Sequence, residues 1–192
     1  MTLQWLRRSR WLWGIVMLLT GCAGSYHDTM YSVHQAVQAG DYERADALLS
    51  KKKDFAEDKD RLLYFLDKGL IAHLTGAYRE SNWFFEQASQ RIEELDAISV
   101  TETAARWIVS DLSQSYGGED FERVLVHYYM ALNYLMLGEF EEALVECRRL
   151  NTLLTLFNDR YEHQNLYKTD AFMLYLSGLI YEALGEVNDA FI

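Results

Sequence analysis

From Thr29 onward the chain repeats one arrangement. Apolar residues recur every three or four positions, a glycine breaks the run, an acidic or small residue and then an aromatic or branched one follow, and the periodicity resumes. The breaks are Gly40-Asp41-Tyr42, Gly76-Ala77-Tyr78, Gly138-Glu139-Phe140 and Gly185-Glu186-Val187, each with a small residue three positions on: Ala45, Ser81, Ala143 and Ala190. A glycine in the left-handed conformation ends the first helix of such a unit, and the small residue lets the second helix approach closely. Each copy therefore predicts a helix–turn–helix, and together they predict an all-α fold of antiparallel helical hairpins stacked as a short solenoid.

The spacing is uneven. Ser89 to Asp120 is longer than one hairpin requires and carries a further amphipathic pattern, Ala104, Trp107, Ile108 and Leu112, which predicts an inserted helix. Asn158 to Thr169 reads as a polar connector. The sequence ends at Ile192, barely one turn into the last helix of the fourth copy, whereas a helical stack normally ends in a polar capping helix; this predicts a truncated chain.

Composition agrees with helices. There is no proline and there are only 11 glycines in 192 residues, so the breakers that punctuate sandwiches and barrels are scarce. Half the residues are hydrophobic and 24% are charged, as expected of a chain that buries a core. The net charge of -11 opposes binding to phosphate backbones, so nucleic acid is a poor candidate partner.

The first residues follow a different grammar. Arg7, Arg8 and Arg10 precede an apolar run from Trp11 to Leu19 that is too short to span about 30 Å of hydrocarbon at about 1.5 Å per residue. Small residues follow it, as in a cleaved signal segment. Leu19-Thr20-Gly21-Cys22 resembles the lipobox of bacterial lipoproteins, in which the cysteine is acylated and becomes the new amino terminus. The resemblance implies a signal peptide over 1–21, a lipidated Cys22 with a spacer to residue 28, and a repeat domain over 29–192. More than one acyl chain is needed for stable anchoring, which a lipoprotein cysteine supplies. Ala23, in place of the aspartate of inner-membrane retention signals, implies the periplasmic face of the outer membrane.

The hairpins resemble tetratricopeptide repeats. That family carries a small residue seven positions before the turn glycine and an aromatic four before it. Gly69 and Ala72, Ala131 and Tyr134, and Gly178 and Tyr181 occupy those positions, with Val33 and Ala36 in the first copy. The family's period of about 34 residues and its terminal proline are not kept. The stretch Tyr116-Gly117-Gly118-Glu119-Asp120-Phe121-Glu122-Arg123, continuing to Tyr129 and Ala131-Leu132-Asn133-Tyr134-Leu135, is similar to a family of bacterial lipoproteins with tetratricopeptide-like helices. That likeness implies an envelope location and supplies no established catalytic residues.

Candidate chemistry is sparse. His27, His34, His73, His127 and His163 form no ligand pair at helical spacing, so no metal or other cofactor is expected. Cys147 occupies the register position of Phe85 and reads as core packing rather than a catalytic thiol. Ser50 and Lys53 have serine-x-x-lysine spacing but sit in a lysine run at a helix end, where cations meet the helix dipole. The pairs Glu93-Glu94 and Glu141-Glu142 read as solvated faces, and Gly117-Gly118 lacks phosphate-loop spacing.

The informative surface is the face of the first helices, which stacks of this kind turn inward. Its positions are Leu63, Leu66, Leu70, His73 and Leu74; then Leu125, Tyr128, Leu132, Leu135 and Met136; then Phe172, Tyr175, Leu179, Glu182 and Ala183. This trough is apolar, and either the inserted helix fills it or it binds a partner such as an amphipathic helix. The expected function is a lipid-anchored adaptor contacting another envelope protein. Resemblance to other helical-repeat lipoproteins implies two kinds of client: peptidoglycan synthases, and outer-membrane assembly or export machines. The alternative is a cell-wall glycan-binding protein or hydrolase using Glu119 and Glu122 beside Gly117-Gly118.

Overall fold

The computed structural model describes residues 26–52, 55, 59–101, 115–161, 171–188 and 190. Among them the chain is all-helical, with no strand: α1 (Tyr26–Gln38), α2 (Tyr42–Ser50), α3 (Arg61–Leu74), α4 (Tyr78–Thr101), α5 (Asp120–Leu137), α6 (Phe140–Arg160) and α7 (Ala171–Ala183). The segment expected to be a signal peptide, and Cys22, lie outside the described residues. The first helix opens at Tyr26, taking in the end of the segment expected as spacer.

One turn is built four times. Gly40, Gly76, Gly138 and Gly185 have φ of 73°, 80°, 76° and 78°, a region in which side chains with a Cβ are strained. In each case the residue after the glycine donates its N–H back across the helix end: Asp41 to Ala36, Ala77 to Ala72, Glu139 to Tyr134 and Glu186 to Tyr181, all at 2.9 Å. This six-to-one bond satisfies a carbonyl that the helix end would otherwise orphan. The second helix then leaves at an angle that buries its small residue, and Ala45, Ser81 and Ala143 are fully buried.

Close packing follows from these small residues. A Cβ on Gly69 would come within 2.8 Å of the Phe85 ring, so α3 and α4 meet with aromatic against bare backbone. The Ser81 hydroxyl donates to the Gly69 carbonyl at 2.7 Å in the same contact. The pairs α1 with α2, α3 with α4, and α5 with α6 each pack together; α5 also packs on α3 and α4, and α7 on α6. Stacking of Phe85 on Tyr129, at 5.7 Å and 7° between ring planes, joins the middle two hairpins.

The interior falls into two clusters. The first runs from α1 to α5 and includes Val33, Leu49, Leu62, Phe65, Phe85 and Met130; the second, from α5 to α7, includes Ala131, Leu144, Cys147, Leu150, Phe157 and Ile180.

The long insertion begins differently from the sequence expectation. The helix does not stop near Ser89 but continues to Thr101, because its apolar stripe persists: Ile92 packs on the first cluster. The positions expected to form an inserted helix, Ala104, Trp107, Ile108 and Leu112, lie outside the described residues. Beyond them the chain returns along α3, where the Tyr116 N–H donates to the Lys59 carbonyl (3.4 Å). Arg123 then clamps this return, donating to both oxygens of Asp96 at 2.9 and 3.0 Å and to the Gly117 carbonyl at 2.9 Å. Helix α6 runs on to Arg160, through the start of the expected connector, whose residues 162–169 lie outside the described set.

Candidate functional site

The trough positions divide into three groups. Leu66 and Leu70 are half-buried and pack on the first cluster, and Tyr128, Leu132 and Leu135 pack on the second. Leu125 (39% exposed), Tyr175 (64%) and Leu179 (43%) stand open to solvent, with Met136 and Phe172 beside them in the register. Tyr128 and Phe172 bring α5 and α7 together, their ring centroids 6.0 Å apart. Further along α7, Tyr175, Leu179 and Glu182 share a hollow of about 360 Å³ with Leu174, Val187 and Ala190.

His73 does something other than line the trough. Its Nδ1 donates to the side-chain carbonyl of Asn133 at 2.6 Å, and its ring meets Tyr129 edge-on at 5.0 Å and Tyr78 at 5.8 Å. Asn133 is fully buried, and its amide donates to the Ser81 hydroxyl and to the Asn82 carbonyl oxygen, each at 2.8 Å. Three helices are thus pinned through one polar network, which in a low-dielectric interior fixes their register.

Two more polar clusters lie inside, and the sequence pattern singled out neither. Lys68, 4% exposed, reaches across to the Asp46 carboxylate and to the Ser50 hydroxyl (3.0 Å), with its ammonium 5.1 Å from the Phe84 ring centre. Burial, and secondarily the Asp46 charge, push the neighbouring Tyr64 phenol above its ordinary range. Ser50 therefore does meet a lysine, Lys68 of α3; Lys53 of the linear motif lies outside the described residues. The Lys68 ammonium is held by the Asp46 carboxylate and the Ser50 hydroxyl. In the second hairpin pair the ring of His127 lies 2.7 Å from Glu146, which also accepts from Arg149 at 3.1 Å. A lysine within the apolar run of α3, one residue before Gly69, was the available signal for the first cluster.

The acids near Gly117-Gly118 are engaged in holding the start of α5. One Glu122 oxygen accepts from the Glu119 N–H at 2.9 Å and from the Tyr116 hydroxyl. That is the reciprocal half of a capping box. Burial and then the Glu122 hydrogen bond raise the Tyr116 phenol well above its usual range. Glu93, Glu94, Glu141 and Glu142 are exposed. Cys147 is buried, and burial pushes its thiol up although Ser177 partly opposes this, the reverse of what activates a nucleophile.

Among the described residues, no group of three or more His, Cys, Asp or Glu converges where it could hold a metal ion, and no helix is long and apolar enough to cross a membrane. No protein-family model matches the chain, and comparison with curated proteins and with solved structures yields no match.

Proposed function

We propose that the chain is a lipid-anchored, tetratricopeptide-like scaffold on the periplasmic side of the outer membrane, and that it docks another envelope protein along the face shared by α5 and α7. The observation that carries this is the row Leu125, Phe172, Tyr175 and Leu179, four large apolar side chains between 39% and 64% exposed on neighbouring first helices. Single exposed apolar residues are ordinary, whereas three on one helix, Phe172, Tyr175 and Leu179, with Phe172 set against Tyr128 of α5, mark a contact surface. The occupant that fits is an amphipathic helix, its apolar stripe along Tyr175 and Leu179 and its basic flanks toward a chain of net charge -11. The anchor rests on Leu19-Thr20-Gly21-Cys22 and the charged and apolar segments before it.

Two experiments test the reading. Replacing Cys22→Ser should move the protein from the membrane fraction to the soluble periplasm; retention in membranes rejects lipidation as the tether. A photocrosslinking residue at Tyr175 should trap one discrete adduct in intact cells, and Leu125→Asp with Leu179→Asp should remove that adduct while helicity is kept. The same adduct formed from the exposed back-face position Val145 rejects the docking face. An enzymatic reading on Glu122 is less well supported, because both contacts described for that carboxylate hold the chain entering α5.

A further inference from the structure

Only Ala23, Gly24 and Ser25 separate Cys22 from the start of α1 at Tyr26. On the reading that Cys22 is acylated, on which this inference rests, the backbone between them reaches no more than about 14 Å from the bilayer. The end of the first hairpin at which α1 begins is therefore held close to the membrane.

Helix α2 finishes at that same end. The chain reverses at Gly40 and the two helices pack together, so Leu49 joins Met30 in the first cluster, and Lys51 and Lys52 return beside the first turns of α1. Lysine is otherwise scarce: four of the six in the chain fall between residues 51 and 59, a concentration that helix packing does not require.

The charges at this end are also unmatched. Six cations elsewhere are neutralised where they stand: Lys68 by Asp46, Arg79 by Glu139, Arg91 by Glu94, Arg123 by Asp96, Arg149 by Glu146 and Arg160 by Asp120. Lys51 and Lys52 have no carboxylate partner among the described residues. Lys51 is exposed, and the Lys52 ammonium lies 5.8 Å from the centre of the Phe55 ring. The negative end of the α2 dipole favours cations here without neutralising two full charges. The opposite edge, where the glycine turns lie, has the opposite sign, because the second helices open there with Glu43, Glu80, Glu141 and Glu142 in their first turns. An anionic headgroup layer attracts the first edge and repels the second.

We propose that this end of the first hairpin is a lipid-contact surface. Lys51 and Lys52 meet headgroup phosphates, and the glycine turns point away from the bilayer. Tyr31, 66% exposed and little more than one turn along α1 from Tyr26, rests its phenol among the headgroups. Two lysines bind an anionic surface weakly by themselves, but the short tether makes the contact intramolecular and so raises its effective concentration.

The test supplies the tether chemically. Cys22 of the mature chain is coupled to a maleimide-bearing lipid in vesicles of phosphatidylethanolamine and phosphatidylglycerol, with the buried Cys147 left in place. A photocrosslinking residue stands at Tyr31 in one protein and at the exposed Glu43, on the turn edge, in another. Mass spectrometry should find lipid adducts about fivefold or more in favour of Tyr31, and Lys51→Glu with Lys52→Glu should lower the Tyr31 adduct about threefold or more. Should that double reversal not fold, Lys51→Gln with Lys52→Gln replaces it. Equal adducts from the two positions, or an undiminished Tyr31 adduct in the folded lysine variant, would overturn the lipid contact and leave the anchor standing. A chain isolated from cells without an acyl group on Cys22 would overturn both.

Discussion

The hairpins α3–α4 and α5–α6 share a turn, a register and a small residue at the crossing, yet their interiors are filled in opposite ways. In the first, Gly69 removes even a methyl group so that the Phe85 ring can lie against backbone; in the second, the same register positions hold Ala131 and Cys147, both buried. Volume is traded across the contact rather than fixed at either position, as close packing requires. The first hairpin is consequently aromatic, with Tyr64, Phe65 and Phe84 in mutual ring contact, and the second mostly aliphatic around Leu144, Leu150 and Leu154.

That exchange can be broken from either side. Phe85→Ala should cost about 3–5 kcal/mol, since it empties a site facing bare backbone and removes the ring stacked on Tyr129. Gly69→Ala should cost about 1–3 kcal/mol through overpacking. Combining Gly69→Ala with Phe85→Cys, which reproduces the residues of the second hairpin, should cost clearly less than the two single changes added together; denaturant unfolding of the four proteins measures the coupling. Strict additivity would mean that the two positions do not share one packing constraint.

The polar interior offers a second, smaller lever. Asn133→Leu should lower stability by about 1–3 kcal/mol by orphaning groups in its network, such as Ser81 and Asn82, and it should perturb α3 as well as α5 in amide exchange. A change confined to α5 would show that the network pins nothing.

The dependence on alkali comes next. Tyr64, Tyr116, Tyr134 and Cys147 all hold their protons more tightly when folded, chiefly because burial disfavours their anions. The unfolded chain loses those protons first, at the ordinary thiol and phenol values, so between the unfolded and folded values it binds fewer protons than the native state. Stability should be insensitive to these groups at neutral pH and fall as pH rises above about 9. Urea midpoints at pH 7 and pH 10 check the sign. Smallest of all, Leu125→Asp and Leu179→Asp should each change stability by no more than about 0.5 kcal/mol, because both side chains already meet solvent.

The turns were legible in the sequence because glycine, its two followers and the small residue beyond them are local and chemically restrictive. Gly40, Gly76 and Gly138 marked the hairpin boundaries within a residue or two, and Gly185 marked the end of α7. The buried polar residues were not legible, because their partners are distant in sequence: Asn133 meets Ser81 and His73 across more than fifty residues, and Lys68 meets Asp46 and Ser50 in another helix. Helical periodicity assigns a face, and His73 was assigned to the trough on that basis. What it could not convey is that a polar residue at the margin of a face turns inward when an amide opposite offers a hydrogen bond. The continuation of α4 past Ser89 has a local signal in Ile92, which packs on the first cluster, and a distant one in Arg123, the partner of Asp96 beyond the insertion.

The most direct measurement of an open, partner-binding face is thiol labelling in cells and in solution. Single cysteines at Leu125, Leu179 and, on the back of α6, Val145 would be placed in a chain whose Cys147 is changed to alanine. In the purified protein all three should react rapidly with a maleimide; in intact envelopes the first two should be protected and the third should not. Slow reaction of the first two in the purified protein, or equal reaction of all three in envelopes, would contradict the account.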